Sequence, residues 1–235
     1  MKRSFDPATP EMMDRPQPVT PELERDLANI RSFNRNFGSH RLVRHFLRRW
    51  LKPDTSARLL DLATGSGDIP RLSVDFARAN HVPIRVDAID QQRSTVEIAR
   101  NLSANYPEIT FAAADLFEWN PPELYDIVLC SLALHHFTDD AAVRVLRKCA
   151  NLSCGAVLVS DLRRARWFSL AVHVVTAISY REPMTKFDAR LSAARAFSFH
   201  EMADLARRAG WRNFRHRRFA VGRQAIWLES FLPSP

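Results

Sequence analysis

Between Arg58 and Pro70 the chain reads Arg-Leu-Leu-Asp-Leu-Ala-Thr-Gly-Ser-Gly-Asp-Ile-Pro: a buried apolar run that enters a glycine turn and leaves it as the start of a helix. No other stretch restricts the fold as strongly. Gly65 and Gly67 let the backbone come close to a ligand, and the free N–H groups of the helix start face whatever lies there. Asp68 is placed to cap that helix, and Pro70 is tolerated in its first turn. The spacing is neither the Gly-x-Gly-x-x-Gly of a dinucleotide site nor the Gly-Lys-Ser/Thr ending of a phosphate loop.

The strands beyond the turn narrow the possibilities. Ile84–Asp90 reads as a second strand ending in a carboxylate, where a doubly wound fold offers an acid to a ribose diol. Ile109–Asp115 again ends in an acid, and Tyr125–Ser131 runs into Leu132-Ala133-Leu134-His135-His136-Phe137. Polar groups at four strand ends along one sheet edge make a site. These residues resemble the class I S-adenosylmethionine-dependent methyltransferases over residues 56–162, and the run from Asp61 to Asp68 is similar to the ubiquinone and menaquinone biosynthesis methyltransferases and their small-molecule relatives. Ala63 stands where many members have a first glycine; it is still small, so the loop is expected to keep its fold.

The resemblance implies S-adenosyl-L-methionine as cofactor. It places Asp61, Ala63, Thr64, Gly65 and Gly67 in the loop under the methionine part and Asp90 on the ribose hydroxyls. It puts Gln91 beside the adenine, Asp115 and Leu116 on the adenine edge and face, and Ser131 at the neighbouring strand end. No metal is expected.

The order of elements agrees with an α/β chain. Helices are expected near 21–35 and 38–52, then strand 58–63, helix 68–80, strand 84–90, helix 92–105, strands 109–115 and 125–131, helix 139–151 and strand 155–162. A helix near 199–209 and strands near 212–220 and 223–231 close the chain. Such alternation means a doubly wound, seven-stranded, mostly parallel sheet, and the resemblance implies that the last strand hairpins in antiparallel. The expected organisation is a flexible leader at 1–20, N-terminal helices at 21–55 capping the site, and a catalytic domain at 56–235 with a helical lid insertion at 163–198. With 235 residues, 46% of them hydrophobic, one sizeable domain is the default.

Met1–Pro21 holds five prolines and no apolar stretch of signal-peptide length. The longest near-apolar run, Trp167–Tyr180, has 14 residues, short of the ~20 that a membrane-spanning helix needs. The three cysteines, Cys130, Cys149 and Cys154, show no metal-ligand spacing and leave an odd thiol. A reducing cytoplasm is the expected compartment.

The net charge of +8 is clustered. In residues 38–52, Leu42, Val43, Phe46, Leu47, Trp50 and Leu51 share a helical face opposite Arg41, Arg44, His45, Arg48, Arg49 and Lys52, which suits packing on the domain or peripheral contact with an anionic membrane. The second cluster, Arg207, Arg208, Arg212, Arg215, Arg217 and Arg218, surrounds a helix end and an edge strand, where a solvent face explains it. Nucleic acid is not indicated. No added RNA-binding module is present, and no Asn/Asp-Pro-Pro-aromatic motif comes after the fourth strand.

The insertion is too long for an ordinary connection, so it is read as a lid or substrate wall. Its helix-like part carries Ser169, His173, Thr176 and Ser179 as a narrow polar stripe; the apolar remainder, with Phe137, would wall a pocket for an apolar acceptor. Methyl transfer from a sulfonium is an in-line displacement that asks for alignment, dryness and, where the acceptor carries a proton, a base. His136, or else His135, is the candidate base; an extended chain would point one of the two away from the site. Phe137 and His173 are the candidate substrate contacts, with Asp188 and Arg190 behind them. The reading is a methyltransferase for a phenol, quinol or polyketide-like aromatic, acting on oxygen. Carbon methylation of a quinone precursor and a cofactor-binding protein on RNA or membrane are the alternatives.

Overall fold

The first helices form for local reasons. In the computed structural model, which describes residues 3–53, 55–179 and 182–230, α1 (Pro21–Asn36) begins at Thr20, whose hydroxyl oxygen accepts from the Leu23 N–H. Pro21, Glu22 and Glu24 in its first turn suit a helix start, where no N–H is needed and negative charge is favoured. α2 (Ser39–Trp50) buries Leu42, Val43, Phe46, Leu47 and Trp50 and turns its arginines outward. Phe46 lies 5.0 Å from the Trp50 ring and 4.9 Å from that of Trp227. The apolar face of α2 is therefore spent on its own domain.

The remaining elements are β1 (Ala57–Leu62), α3 (Asp68–Ala79), β2 (Ile84–Asp90), α4 (Arg93–Leu102), β3 (Ile109–Ala113), β4 (Tyr125–Ser131), α5 (Asp139–Asn151), β5 (Ser153–Leu162), α6 (Arg166–Ser179), α7 (Pro183–Arg195), α8 (Phe199–Arg208), β6 (Arg215–Phe219) and β7 (Arg223–Glu229). The seven strands form one sheet in the order β3-β2-β1-β4-β5-β7-β6. β1 to β5 pair in parallel, and β7 is antiparallel to both of its neighbours. The central strands read as unbroken apolar runs because helices cover both of their faces: α2 and α3 on one side, α5 and α8 on the other. β1 lies between β2 and β4, so the chain reverses direction across the sheet there. A crevice opens at the carboxyl ends of these strands.

Two regions depart from expectation. The insertion is a helical hairpin, α6 against α7, and α7 escapes periodicity because its sequence has no apolar stripe; it buries Thr185, Asp188 and Arg195 instead. Tyr180, the expected end of the first lid helix, and residue 231, the expected end of the last strand, lie outside the described residues. The second departure is the proline-rich start, which lies across the sheet edge as a strap. Arg3 donates to the carbonyls of Arg195 (2.6 Å), Phe137 (2.6 Å) and His135 (3.1 Å) and pairs with Asp139 at 2.8 Å. Asp188 accepts from the N–H groups of Met12 (2.7 Å) and Met13 (3.1 Å), and Arg195 donates to the carbonyls of Asp6 and Thr9. Prolines keep regular structure here to one 3-10 turn, Met12–Asp14, and side chains from α7 supply the partners that the strap backbone lacks.

The basic patches behave as ordinary surface. Arg207 pairs with Asp204 and Arg208 with Asp140, while Arg218 stacks on Phe199 at 4.6 Å. No helix among the described residues is long and apolar enough to cross a membrane.

Candidate active site

The turn after β1 is held by left-handed backbone. Gly65 and Gly67 have φ of 55° and 75°, and Ala63 has 56°. A side chain at Gly67 would bring its Cβ to 2.8 Å from the Phe111 ring, so only glycine fits there. At Ala63 the same conformation carries a strain that glycine would not feel. Asp68 does not cap α3: the cap position is Gly67, and no side chain bonds to the helix start. The Asp68 carboxylate is instead claimed by Asn34 at 3.0 Å and His40 at 2.9 Å, which tie α1 and α2 to the turn. The leading N–H groups of α3 gain no side-chain cap from it.

Around this turn three acids gather. Thr64 donates to Asp61 at 2.6 Å, yet burial, aided by the charges of Asp68 and Asp90, pushes the Asp61 carboxyl up to about 8. Asp90 accepts from the Gly65 N–H (2.9 Å) and the Gln92 N–H (3.0 Å); burial raises it too. Asp115 accepts from the Phe117 N–H at 2.8 Å. Asp61, Ala63, Thr64, Gly65, Asp90, Gln91, Asp115, Leu116 and Ser131 all border one cavity of about 470 Å³. Gly67 stands behind this lining and serves the backbone path.

The far half of the same cavity is apolar. Ile30, Phe33 and Phe37 of the α1 end face Phe137 and the α6 residues Trp167, Phe168, Val172 and Val175. His173 does not take part: it is exposed, its Nδ1 lies 2.8 Å from the Ser169 carbonyl, and it does not border the cavity. The expected polar stripe does not face water as a unit. Thr176 is fully buried, donates to the Val172 carbonyl at 2.7 Å and accepts from Arg190 Nε at 3.3 Å. Leu170 and Ile178, at 67% and 80% exposure, face outward. Asp188 orients the strap and Arg190 holds Thr176; neither borders the cavity.

His135 and His136 sit in a 3-10 turn, Leu134–His136, and the tight turn brings both rings to the cavity where an extended chain would have separated them. The rings lie 4.3 Å apart. Asp161, at the end of β5, accepts from the His135 backbone N–H at 2.9 Å and faces His135 Nδ1 at 2.6 Å. Asp14 of the strap faces His136 Nδ1 at 2.7 Å. The Nε2 atoms of both rings turn toward Glu11 Oε1, at 3.8 Å and 3.9 Å. Burial alone would lower the His136 pKa; the charges of Glu11 and Asp14 outweigh it and raise the imidazole to about 10. Asp14 and Asp161 are both held below the usual carboxylate range, burial being outweighed by the facing imidazoles. Raised in this way, the His136 imidazole favours its protonated, donating form near pH 7 over the neutral form that a base needs.

Glu11, Asp14, Asp161 and Arg223 carry no sequence signal of their own strong enough to mark them. Glu11 and Asp14 lie in the proline-rich strap and have no motif around them. Asp161 ends a strand, as do Asp90 and Asp115, and that shared position is the one cue available. Arg223 borders the cavity, is buried, and keeps Nη1 without a protein partner; burial lowers it to about 10 against the pull of Asp161.

Residues 59–153 match the family described as "Methyltransferase domain". No curated protein sequence matches the chain. Among solved structures, the plantazolicin methyltransferase BpumL, in complex with a monoazolic desmethylPZN analog and SAH, is 12% identical, with 89% of this chain and 90% of that chain covered and a TM-score of 0.66. PigF with SAH is 17% identical, with 88% and 60% covered and a TM-score of 0.62. The CMeT domain of citrinin polyketide synthase is 13% identical, with 83% and 52% covered and a TM-score of 0.60. At these identities the likeness is one of fold.

Proposed function

We propose that this chain, a class I S-adenosylmethionine-dependent methyltransferase by its domain and its fold, methylates an oxygen of a small, largely apolar acceptor such as a phenol, quinol or polyketide-like aromatic. The observation that carries the reading is one cavity with two unlike halves: carboxylates at the ends of β1, β2 and β3 on one side, and aromatic and aliphatic walls around a charged histidine turn on the other. In this reading Asp90 holds the ribose hydroxyls, Asp115 and Leu116 hold the adenine, and the turn from Asp61 to Gly65 lies under the methionine part. The structure of BpumL holds SAH together with a monoazolic desmethylPZN analog, and that of PigF holds SAH, which favours this fold as one that takes cofactor and acceptor together.

The chemistry then asks for little beyond position. The acceptor oxygen attacks the methyl carbon in line with the C–S bond, whose electron pair stays on sulfur. The apolar walls keep water out, and alignment supplies much of the acceleration. The hydroxyl proton of the acceptor passes to solvent before attack, and the protonated His136 pairs with and orients the oxyanion that remains, whose charge is lost as the O–C bond forms. Carbon methylation of a quinone precursor is the second reading, favoured by the run from Asp61 to Asp68, and the position of the new methyl group separates the two.

The test is direct. S-adenosylhomocysteine should raise the melting temperature, and a panel of phenols and quinols should release that product from S-adenosylmethionine with an ether methyl in the acceptor. Methylation only at carbon, or turnover only with RNA, would overturn the acceptor assignment.

A further inference from the structure

We propose that Glu11, His135 and His136 form a binding site for one divalent transition-metal ion, zinc or a close relative, on the acceptor wall of the cavity. The donor set is two imidazole nitrogens and one carboxylate oxygen, and these atoms all lie within 4.8 Å of one another. Imidazole-rich sets of this kind suit zinc, iron, nickel or copper rather than magnesium or calcium.

The spacing argues against a simple hydrogen-bonded cluster. Nε2 of His135 and of His136 stand 3.8 Å and 3.9 Å from Glu11 Oε1, too far for a hydrogen bond. Ligands about 2.0–2.2 Å from one ion lie roughly 3–3.5 Å apart, so Glu11 Oε1, at 3.8 Å and 3.9 Å, stands just outside ligating range of the two imidazoles.

The outer contacts are those that such a site requires. Each histidine gives its Nδ1 to a carboxylate, Asp161 at 2.6 Å and Asp14 at 2.7 Å. A carboxylate behind a ligating imidazole fixes its tautomer, aims Nε2 at the ion and raises its basicity. Ser192 donates to Glu11 Oε1 at 2.7 Å and fixes the third ligand. Glu11 and His135 are buried, while His136 is partly open toward the cavity. Three protein ligands with one open side is the form of a reactive metal site rather than of a closed structural one.

The use of the ion rests on the oxygen-methylation reading. An acceptor hydroxyl entering the open position would bind as its oxyanion, with the proton passing to solvent. The oxyanion then takes the methyl carbon, the C–S electron pair remains on sulfur, and the neutral ether binds the ion more weakly and leaves. The ion takes the place of the extra proton on His136, which passes to solvent on binding, so the two are alternative ways of placing positive charge at one point.

The experiment uses the full chain without a polyhistidine tag, stripped by chelator. Zn²⁺ is titrated by calorimetry and Co²⁺ by its visible absorption. One equivalent should bind each protein. Glu11→Gln and His135→Ala should weaken it by at least about tenfold, and Asp161→Asn or Asp14→Asn by about 10–100-fold. His173→Ala, an imidazole exposed outside the cavity, should leave binding unchanged. The thermal shift with S-adenosylhomocysteine is measured on every variant, so that loss of the fold and loss of the metal are read separately, and the methyltransferase reading stands or falls on its own. Absence of stoichiometric binding by the stripped protein would overturn the proposal. So would binding that survives Glu11→Gln in a folded protein, or that His173→Ala abolishes.

Discussion

The two halves of the cavity are built in opposite ways. The β1–β2–β3 edge draws its polar groups from consecutive strand ends, each presented by parallel pairing and by one turn of left-handed backbone. The acceptor wall draws on the strap, the histidine turn, the end of β5, the α6–α7 hairpin and β7, which meet only when the chain is folded. The first half is a property of the sheet. The second is a property of the packing around it. Substitutions at the edge should therefore act on cofactor binding, and substitutions on the wall on turnover.

The largest separation is expected at His136. His136→Ala should lower the turnover of weakly acidic phenols about 10²–10³-fold, the scale of removing one oriented donor to an oxyanion, while the affinity for S-adenosylhomocysteine stays within a few-fold. Phenols already ionised at the assay pH should lose less than weakly acidic ones, because they reach the oxyanion without help from that positive charge. Unchanged turnover of weakly acidic phenols in a folded variant would break this half of the account.

At the opposite edge Asp90→Ala should weaken cofactor binding by about 1.5–3 kcal/mol, the range of charge-assisted hydrogen bonds, in a domain that still melts cooperatively. Calorimetry checks it, and unchanged affinity in a folded variant would move the ribose elsewhere.

A pH effect of intermediate size belongs to Asp61. In the free protein burial raises its carboxyl to about 8, so near pH 7 it is largely protonated; the cationic methionine end of the cofactor favours the carboxylate and lowers that pKa on binding. Binding then releases a proton, and affinity should rise with pH until about 8 and level off above it. Calorimetry in buffers of different ionisation enthalpy would show the release, and proton uptake would contradict it. Without cofactor the sign reverses for stability. The folded state holds this proton up to about pH 8 and the unfolded chain only up to about 4, so stability contributed by Asp61 falls as pH rises through that window.

The smallest effect is at Ala63, whose φ of 56° is left-handed. Ala63→Gly should stabilise the domain by up to about 1 kcal/mol, the strain of that conformation less the added freedom of the unfolded chain. A lower melting temperature would mean that the Ala63 methyl is packed rather than strained.

How much of this the sequence discloses obeys the same division. Strand ends from Asp61 to Ser131 are legible because a buried parallel strand is a short apolar run and the residue after it must turn. Element limits there agree with the structure to within a few residues. The wall is not legible for specific reasons. α7 carries buried Asp188 and Thr185, which pattern reading assigns to a surface. Glu11 and Asp14 sit among prolines, a composition that reads as loose chain, yet Glu11 is among the most buried acids. His173 has the right residue type on a plausible helix face, and helix rotation, set by Thr176 against Arg190, puts it outside.

The central claim is that one cavity holds the cofactor at the strand-end edge with its sulfur toward the histidine wall. A crystal structure with S-adenosylhomocysteine tests it most directly. The account predicts ribose hydroxyls on Asp90, adenine between Asp115 and Leu116, and the sulfur opening toward His135, His136 and Phe137. Adenosine seated among the aromatic residues of α1 and α6, or a sulfur turned away from the histidine turn, would contradict it.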